Sequence, residues 1–399
     1  VAQKHNTSPA AAWPLPAVVP LGALGPLGTP LSRGDGQSKM VCRLDRHEGW
    51  LLKLYRSPAD AQDSARLDRL VSLPGAVPEA DRTLLRTATS WPVARVTDQN
   101  ATVGCVIPAA PPNFRVTLQA SATSSLEKYL LVDWLAMPDA TLVGRGVRVP
   151  SETERLKVCR DVVAVAACLE RHQIVYSDWS YANTFWDPLA HVAFVIDIDG
   201  CGKGSMTNIF QPNWEDPLTA RSAVADGCTD RFRVALLVAR CLTGLREARD
   251  VLKATGPACE RAGVAELAEV LLDMLLAADR RHRPTLDTLH SVMQGRPYFR
   301  LKVERVALPP LPTPAPAPAT TGAATQPAGP ASGAATVPAA PQPAAAGTGA
   351  GTPPPPAQAP GDPGGDPQTS EPLTSSGVTT LLVLLVLAVI TVVAIANSR

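Results

Sequence analysis

Net charge is almost absent from this chain: 37 lysines and arginines face 36 aspartates and glutamates, leaving +1 at neutral pH. A basic face for nucleic acid is therefore not expected. Paired metal-binding cysteines are lacking as well. The eight cysteines (Cys42, Cys105, Cys159, Cys168, Cys201, Cys228, Cys241 and Cys259) are scattered with no C-x-x-C pair. That excludes zinc-ribbon spacing and, in so long a chain, argues against a disulfide framework, so they read as reduced, mostly buried small residues. The six histidines form no ligand-spaced cluster, and single ones such as His172 read as ordinary surface or core positions.

Core-forming residues thin out at both ends. Residues 1–30 are rich in proline, alanine and leucine, but Pro14, Pro16, Pro20 and Pro26 interrupt any apolar helix. They read as a tail and argue against a signal peptide. Residues 301–376, most purely from Pro309 to Ser376, are dominated by Pro, Ala, Gly, Thr and Gln. Such a composition cannot build a core, so a disordered tether is expected, with a reach of about 45 Å as a flexible coil. Past it, Val378–Ala396 carries no charge. As a helix this run is about 28 Å long, one hydrocarbon core. A single membrane span is expected there, and with only Asn397, Ser398 and Arg399 after it the chain reads as tail-anchored. No G-x-x-x-G within the span points to helix dimerisation.

Residues 31–300 hold enough core material for one domain. Within them, I-V-Y-S-D-W-S-Y-A-N-T-F-W-D and then V-A-F-V-I-D-I-D-G put Asp178, Asn183 and Asp197 in one short segment. Three oxygen ligands at this spacing suit a magnesium ion carrying a nucleotide's phosphates. Upstream, Lys53 sits among apolar residues in Glu48–Tyr55, and Gly34-Asp-Gly36 precedes it where missing side chains would let backbone N–H groups approach a phosphate.

Taken together, these segments resemble protein kinases. Asp178 and Asn183 keep the D-x-x-x-x-N spacing of the catalytic loop, Asp197 matches the aspartate of D-F-G, and Glu48–Tyr55 looks like the lysine-bearing V-A-I-K strand. The resemblance implies that Asp178 accepts the proton of an attacking hydroxyl, Asn183 and Asp197 hold Mg2+, and Lys53 grips the phosphates of ATP. Further along, Thr229–Cys241 looks like the helix whose buried acid, here Asp230, braces the catalytic loop. Arg283 of Arg-Pro-Thr resembles the arginine that pairs with an acid closing the activation segment, here Glu215 or Asp216. Trp91-Pro-Val and Gly104–Pro111 look like elements of divergent bacterial protein-kinase-like proteins, which makes Val106 to Pro111 the linker touching adenine, with Val106 and Ile107 as contacts.

The sequence departs from the pattern in several places. His-Arg before the aspartate is Tyr176-Ser177, Ser180 replaces a lysine, the third glycine of the loop is Lys39, and D-F-G is D-I-D. Asp199 is an alternative metal ligand in a shifted register; Asp197 fits better because it directly follows the strand. The acid partner of Lys53 is expected on the helix near Ala59–Leu73, as Asp63 or Asp68.

The expectation is an α+β, two-lobed protein-kinase-like fold: a small lobe over 31–108, a large helical lobe over 109–300, then the Pro/Ala-rich tether and one transmembrane helix. Ser151-Glu-Thr-Glu154 reads as a capping box for a helix ending near Arg171, with Leu156, Val163 and Ala167 on its core face. The activity implied is Mg-ATP-dependent phosphorylation of a protein serine or threonine, by a domain on the cytoplasmic side of a membrane. A pseudokinase scaffold and a small-molecule kinase of the aminoglycoside or choline type are the alternatives.

Overall fold

The computed structural model describes residues 12–33, 38–121, 124–209, 212–219, 224–299 and 303–307. Gly34, Gly36, most of the expected tether and the expected span at Val378–Ala396 lie outside them. Among the described residues no helix is long and apolar enough to cross a membrane. The chain divides into two units, Val1–Pro314 and Ala315–Arg399, and every described residue belongs to the first.

That unit is α+β. Its first part is a six-stranded mixed sheet of β1 (Val18–Pro20), β2 (Leu27–Arg33), β3 (Ser38–Leu44), β4 (Trp50–Ala59), β5 (Ala94–Asp98) and β6 (Ala101–Pro108), in the order β1-β5-β6-β4-β3-β2. Only β1–β5 is parallel. Between β4 and β5 run α1 (Ala61–Ala76) and α2 (Glu79–Ala88). Trp91 pins α1 to the start of β5, its Nε1 donating to Leu70 O at 2.8 Å.

Strand alternation decides what faces the site. On β4, Trp50 and Leu52 pack with Cys42, Leu44, Ala94, Val96 and Val106, whereas Leu51 packs with Cys105, Ile107 and Leu67 of α1. Lys53 lies directly opposite Cys105 on β6 and Val41 on β3, hence on the Leu51 face.

The second part is mainly helical. A hairpin of β7 (Arg115–Gln119) and β8 (Ser125–Tyr129) leads to α3 (Asp139–Gly144) and α4 (Glu152–Arg171). Short strands follow: β9 (Ile174–Val175), β10 (Thr184–Trp186), β11 (Ala193–Val195), β12 (Gly202–Lys203), β13 (Ser205–Thr207) and β14 (Val224–Asp226), paired as β10–β11, β9–β12 and β13–β14. Then come α5 (Gly227–Thr243), α6 (Ala248–Arg261), α7 (Ala265–Leu276) and α8 (Leu286–Met293). Helix α5 is buried along nearly its whole length and forms the centre of the large core with α4 and α7.

Two expected boundaries move. Residues 18–30 are part of the fold rather than a tail: β1 pairs with β5, and Val19 and Leu24 are buried. Proline blocks a helix, but it is tolerated on an edge strand, and Pro20 ends one. At the other end the folded chain passes residue 300, because Ala278 N donates to Glu304 O and Val306 N to Leu276 O, both at 2.8 Å.

Helix α4 begins as the sequence predicts. Glu154 N donates to Ser151 Oγ at 3.3 Å and Ser151 N to Glu154 Oε2 at 2.9 Å, closing the capping box, and Leu156, Val163 and Ala167 are buried. Ser151→Ala is expected to cost about 1 kcal/mol in chemical denaturation. Arg148 and the Ser151 N–H hold Glu154 down to about 2, below the ordinary 4.5. Because the folded-state pKa is depressed, this contribution is present above about 4.5 and lost as pH falls toward about 2.

Candidate active site

Lys53 of β4 meets three side chains of one later segment, Asp178, Asn183 and Asp197, between the sheet and the helical part. Tyr176 N and Ser177 N donate to Asp230 Oδ2 and Oδ1 at 2.8 and 2.9 Å, which fixes the turn after β9. Asp230 is buried one turn into α5, while the helix is capped by Asp226, so bracing the turn and capping the helix fall to different residues. Ser177 takes φ 61, a left-handed conformation that such anchoring maintains.

Asp178 follows. Asn183 Nδ2 donates to Asp178 O at 2.9 Å and to Asp178 Oδ2 at 2.7 Å, so the D-x-x-x-x-N spacing closes into one hydrogen-bonded unit. The Asn183 carbonyl accepts from Ile196 N at 3.0 Å, and Tyr176 Oη donates to Ile196 O at 2.6 Å. These bonds bring the end of β11, and Asp197 after it, alongside the turn. Burial lifts the Asp178 carboxyl, the Asn183 amide opposes this and the Asp197 charge adds to it, leaving it pushed up to about 6.

Asp197 sits at φ 59 and its side chain is 48% exposed, whereas that of Asp199 is 6% exposed. Lys53 Nζ donates to Asp199 Oδ1 at 2.7 Å and to Asp197 Oδ1 at 3.2 Å. Burial would depress the Lys53 ammonium, but Asp199 and then Asp197 override it and hold the pKa above the ordinary lysine value.

The expected acid partner of Lys53 is thus corrected. Asp63 pairs with Arg66 at 2.8 Å and Asp68 with Arg95 at 2.6 Å, while Lys53 pairs with Asp199 and Asp197. Asp199 takes the place they were expected to fill. Spacing along the chain could not show this, because two aspartates separated by a single residue are equivalent until the turn between them is known. That turn is a single 3-10 turn over Ile198–Gly200.

The adenine contact is corrected too. Val106 is fully buried within the sheet, opposite Leu52 and Ala94, with its carbonyl taken by Val93 N at 2.9 Å. Its side chain belongs to the cluster on the far face from Lys53. Ile107 shares the lysine's face, and the linker proper begins only after Pro108, which still pairs with Trp50. Gly104 has a steric reason to be glycine, since a Cβ there would lie 2.2 Å from Lys53 O. Gly104→Ala should therefore push β4 off β6, with an expected loss of about 1–3 kcal/mol in urea denaturation.

Arg283 and Asp216 form a doubly hydrogen-bonded pair at 2.7 and 2.6 Å with both side chains at 0% exposure, which settles the choice between Glu215 and Asp216. No residue pattern marks Arg233. Each nitrogen of its guanidinium donates to the chain around the site: Nε to Trp214 O at 3.3 Å, Nη1 to Ser177 O, and Nη2 to Asn208 Oδ1 and Ile209 O at 2.9 and 2.8 Å. Ser180 caps the 3-10 turn Tyr181–Asn183, accepting from Ala182 N at 3.4 Å.

All eight cysteines are free and only Cys228 is more than slightly exposed. His172 does not stand alone as expected: Asp81, Cys168 and His172 gather one potential ligand atom each within 4.8 Å of one another. Asp81, however, accepts from Arg171 Nη2 at 2.7 Å and lies 2.8 Å from His172 Nε2, and burial, with Asp81 next, pushes the Cys168 thiol up to about 12. A guanidinium inside the group opposes a cation, and the cluster acts as a polar tie between α2 and α4. A cavity of about 510 Å3 lined by Leu84, Pro108, Phe114, Asp161 and Phe194 includes none of the four converging residues. No protein-family model matches the chain and no curated protein matches it, so its chemistry has to be read from these residues.

Proposed function

We propose that the chain is a Mg-ATP-dependent phosphotransferase with a two-lobed protein-kinase-like fold, moving the γ-phosphate of ATP to a serine or threonine hydroxyl of a protein. The observation that carries this reading is the hydrogen-bonded chain that links Lys53 to Asp197 and Asp178 to Asn183, with the Asn183 carbonyl holding Ile196 next to Asp197. The sheet with α1 and α2 corresponds to the small lobe, and the helical part to the large one.

The donor set fits magnesium. With its amide nitrogen on Asp178, Asn183 presents its Oδ1 as a neutral oxygen, and the half-exposed Asp197 presents a carboxylate. Both are hard oxygen ligands. A bound magnesium ion would neutralise charge on the phosphates. Lys53 is charged and anchored, ready to hold phosphate oxygens. Asp178, oriented by Asn183, receives the proton of the attacking hydroxyl. Positioning and fixed charge account for the catalysis, since phosphoryl transfer asks little covalent chemistry of the protein.

A nucleotide-binding scaffold without turnover is the second reading. It is favoured by Ser180, which is buried and puts no cation near a γ-phosphate. Intact-mass measurement of the full chain with Mg-ATP and a generic protein acceptor separates the two. Added phosphate supports the kinase, and nucleotide binding without it supports the scaffold. Transfer to a hydroxylated metabolite but to no protein supports the aminoglycoside or choline type. The proposal includes membrane attachment through Val378–Ala396 with the domain in the cytoplasm, which protease protection of the domain in inside-out vesicles would contradict.

A further inference from the structure

We propose that Asp199 is the positioning residue that holds Lys53 for a nucleotide's phosphates, so that the two aspartates of D-I-D divide the work, one left exposed to a ligand and the other committed to the lysine. The proposal rests on the phosphotransferase reading and adds to it the source of the lysine's acid.

Asp199 commits both carboxylate oxygens inside the protein. Oδ1 accepts from Lys53 Nζ at 2.7 Å and Oδ2 from Tyr55 Oη at 3.2 Å. With its side chain 6% exposed, it cannot reach a hydrated ion without breaking that pair. Asp197 makes the longer contact to Lys53, 3.2 Å, and its side chain is 48% exposed. One carboxylate is therefore spent on orientation while the other stays available to a ligand.

Helix α1, where an acid was expected, presents a cation instead. Arg66 Nη1 donates to Asp199 O at 3.0 Å and to Cys201 O at 3.1 Å, while Asp63 Oδ1 accepts from Arg66 Nε and Nη2 at 3.1 and 2.8 Å. The helix thus grips the backbone of the loop carrying both aspartates, while Asp63 and Asp68 are paired with Arg66 and Arg95. A displacement of α1 would carry the loop with it, and Lys53 would keep its acid.

Two measurements on the full chain test this. The first is the affinity for a fluorescent ATP analogue, with Mg2+ and with a chelator. Asp199→Asn is expected to weaken binding about tenfold in both conditions, with the wild-type gain from magnesium retained. Asp197→Asn is expected to lose that gain, and Asp68→Asn to change neither affinity. Loss of the magnesium gain in Asp199→Asn with its retention in Asp197→Asn overturns the assignment. The second is the melting temperature of Lys53→Met, Asp199→Asn and the double variant without nucleotide. A double variant melting no lower than the worse single supports the pair, because a lone buried charge is the costly state; additive losses overturn it. If no form binds the analogue, the phosphotransferase reading falls and the positioning role with it, while the melting cycle still decides whether the pair exists.

Discussion

Replacing Asp178 by asparagine is expected to lower phosphate transfer by about 10²–10⁴-fold, the range for removing a general acid–base group. The two side chains have nearly the same shape, so the turn held by Asp230 should persist, and an amide cannot take the hydroxyl proton. The loss should fall on kcat with KM little changed, because Asp178 is assigned to the transition state and Lys53 to nucleotide binding. Single-turnover phosphate transfer to a protein acceptor checks this, with circular dichroism as the control for folding. A variant as active as the wild type would remove Asp178 from the chemistry and with it the proposed mechanism.

Asp216→Ala is expected to be the most destabilising single change, at about 3–5 kcal/mol, the usual cost of stranding one member of a buried ion pair. Arg283 would keep only the Cys228 carbonyl at 2.9 Å and the face of Phe232, 5.1 Å from its Cζ. Neither replaces two carboxylate bonds. Replacing both residues with apolar ones should recover much of the loss, since the desolvation penalty disappears along with the pair. The neighbouring Glu215→Ala should change stability by less than about 0.5 kcal/mol. Burial would lift the Asp216 carboxyl, but the Arg283 guanidinium overrides it and holds the pKa below the ordinary carboxylate value. A depressed folded-state pKa means that the pair stabilises fully above the ordinary carboxylate range and loses its contribution as pH falls through the folded value. Urea denaturation of the three variants across acidic pH measures all of this.

Much of the site was legible because its members are local in the chain. Asp178 and Asn183 lie in one turn, and a hydrogen bond between residues five apart leaves a fixed spacing in the sequence. The Ser151 capping box was legible for the same reason. The partner of Lys53 was not, because it is 146 residues away and depends on the geometry of a single 3-10 turn. Arg66 and Arg233 hold the loops of the site mainly through main-chain oxygens, and a carbonyl is the same at every position, so no residue pattern marks those targets. The first strand was obscured by the prolines around it, of which Pro20 looks like a breaker along the chain but ends a strand at the edge of the sheet. Val106 was misplaced because an apolar strand running into prolines does not say where pairing stops, which here is Pro108.

Arg233 bears on how such a protein could be controlled. A loop that waits for a phosphate stores one bit of information, written by another enzyme and read by an open guanidinium. Here the guanidinium is spent on Trp214, Ser177, Asn208 and Ile209. In the proposed phosphotransferase, a phosphate arriving nearby would find this guanidinium already occupied. Output would then scale with the number of copies and the company they keep, which makes abundance and address the natural variables of control.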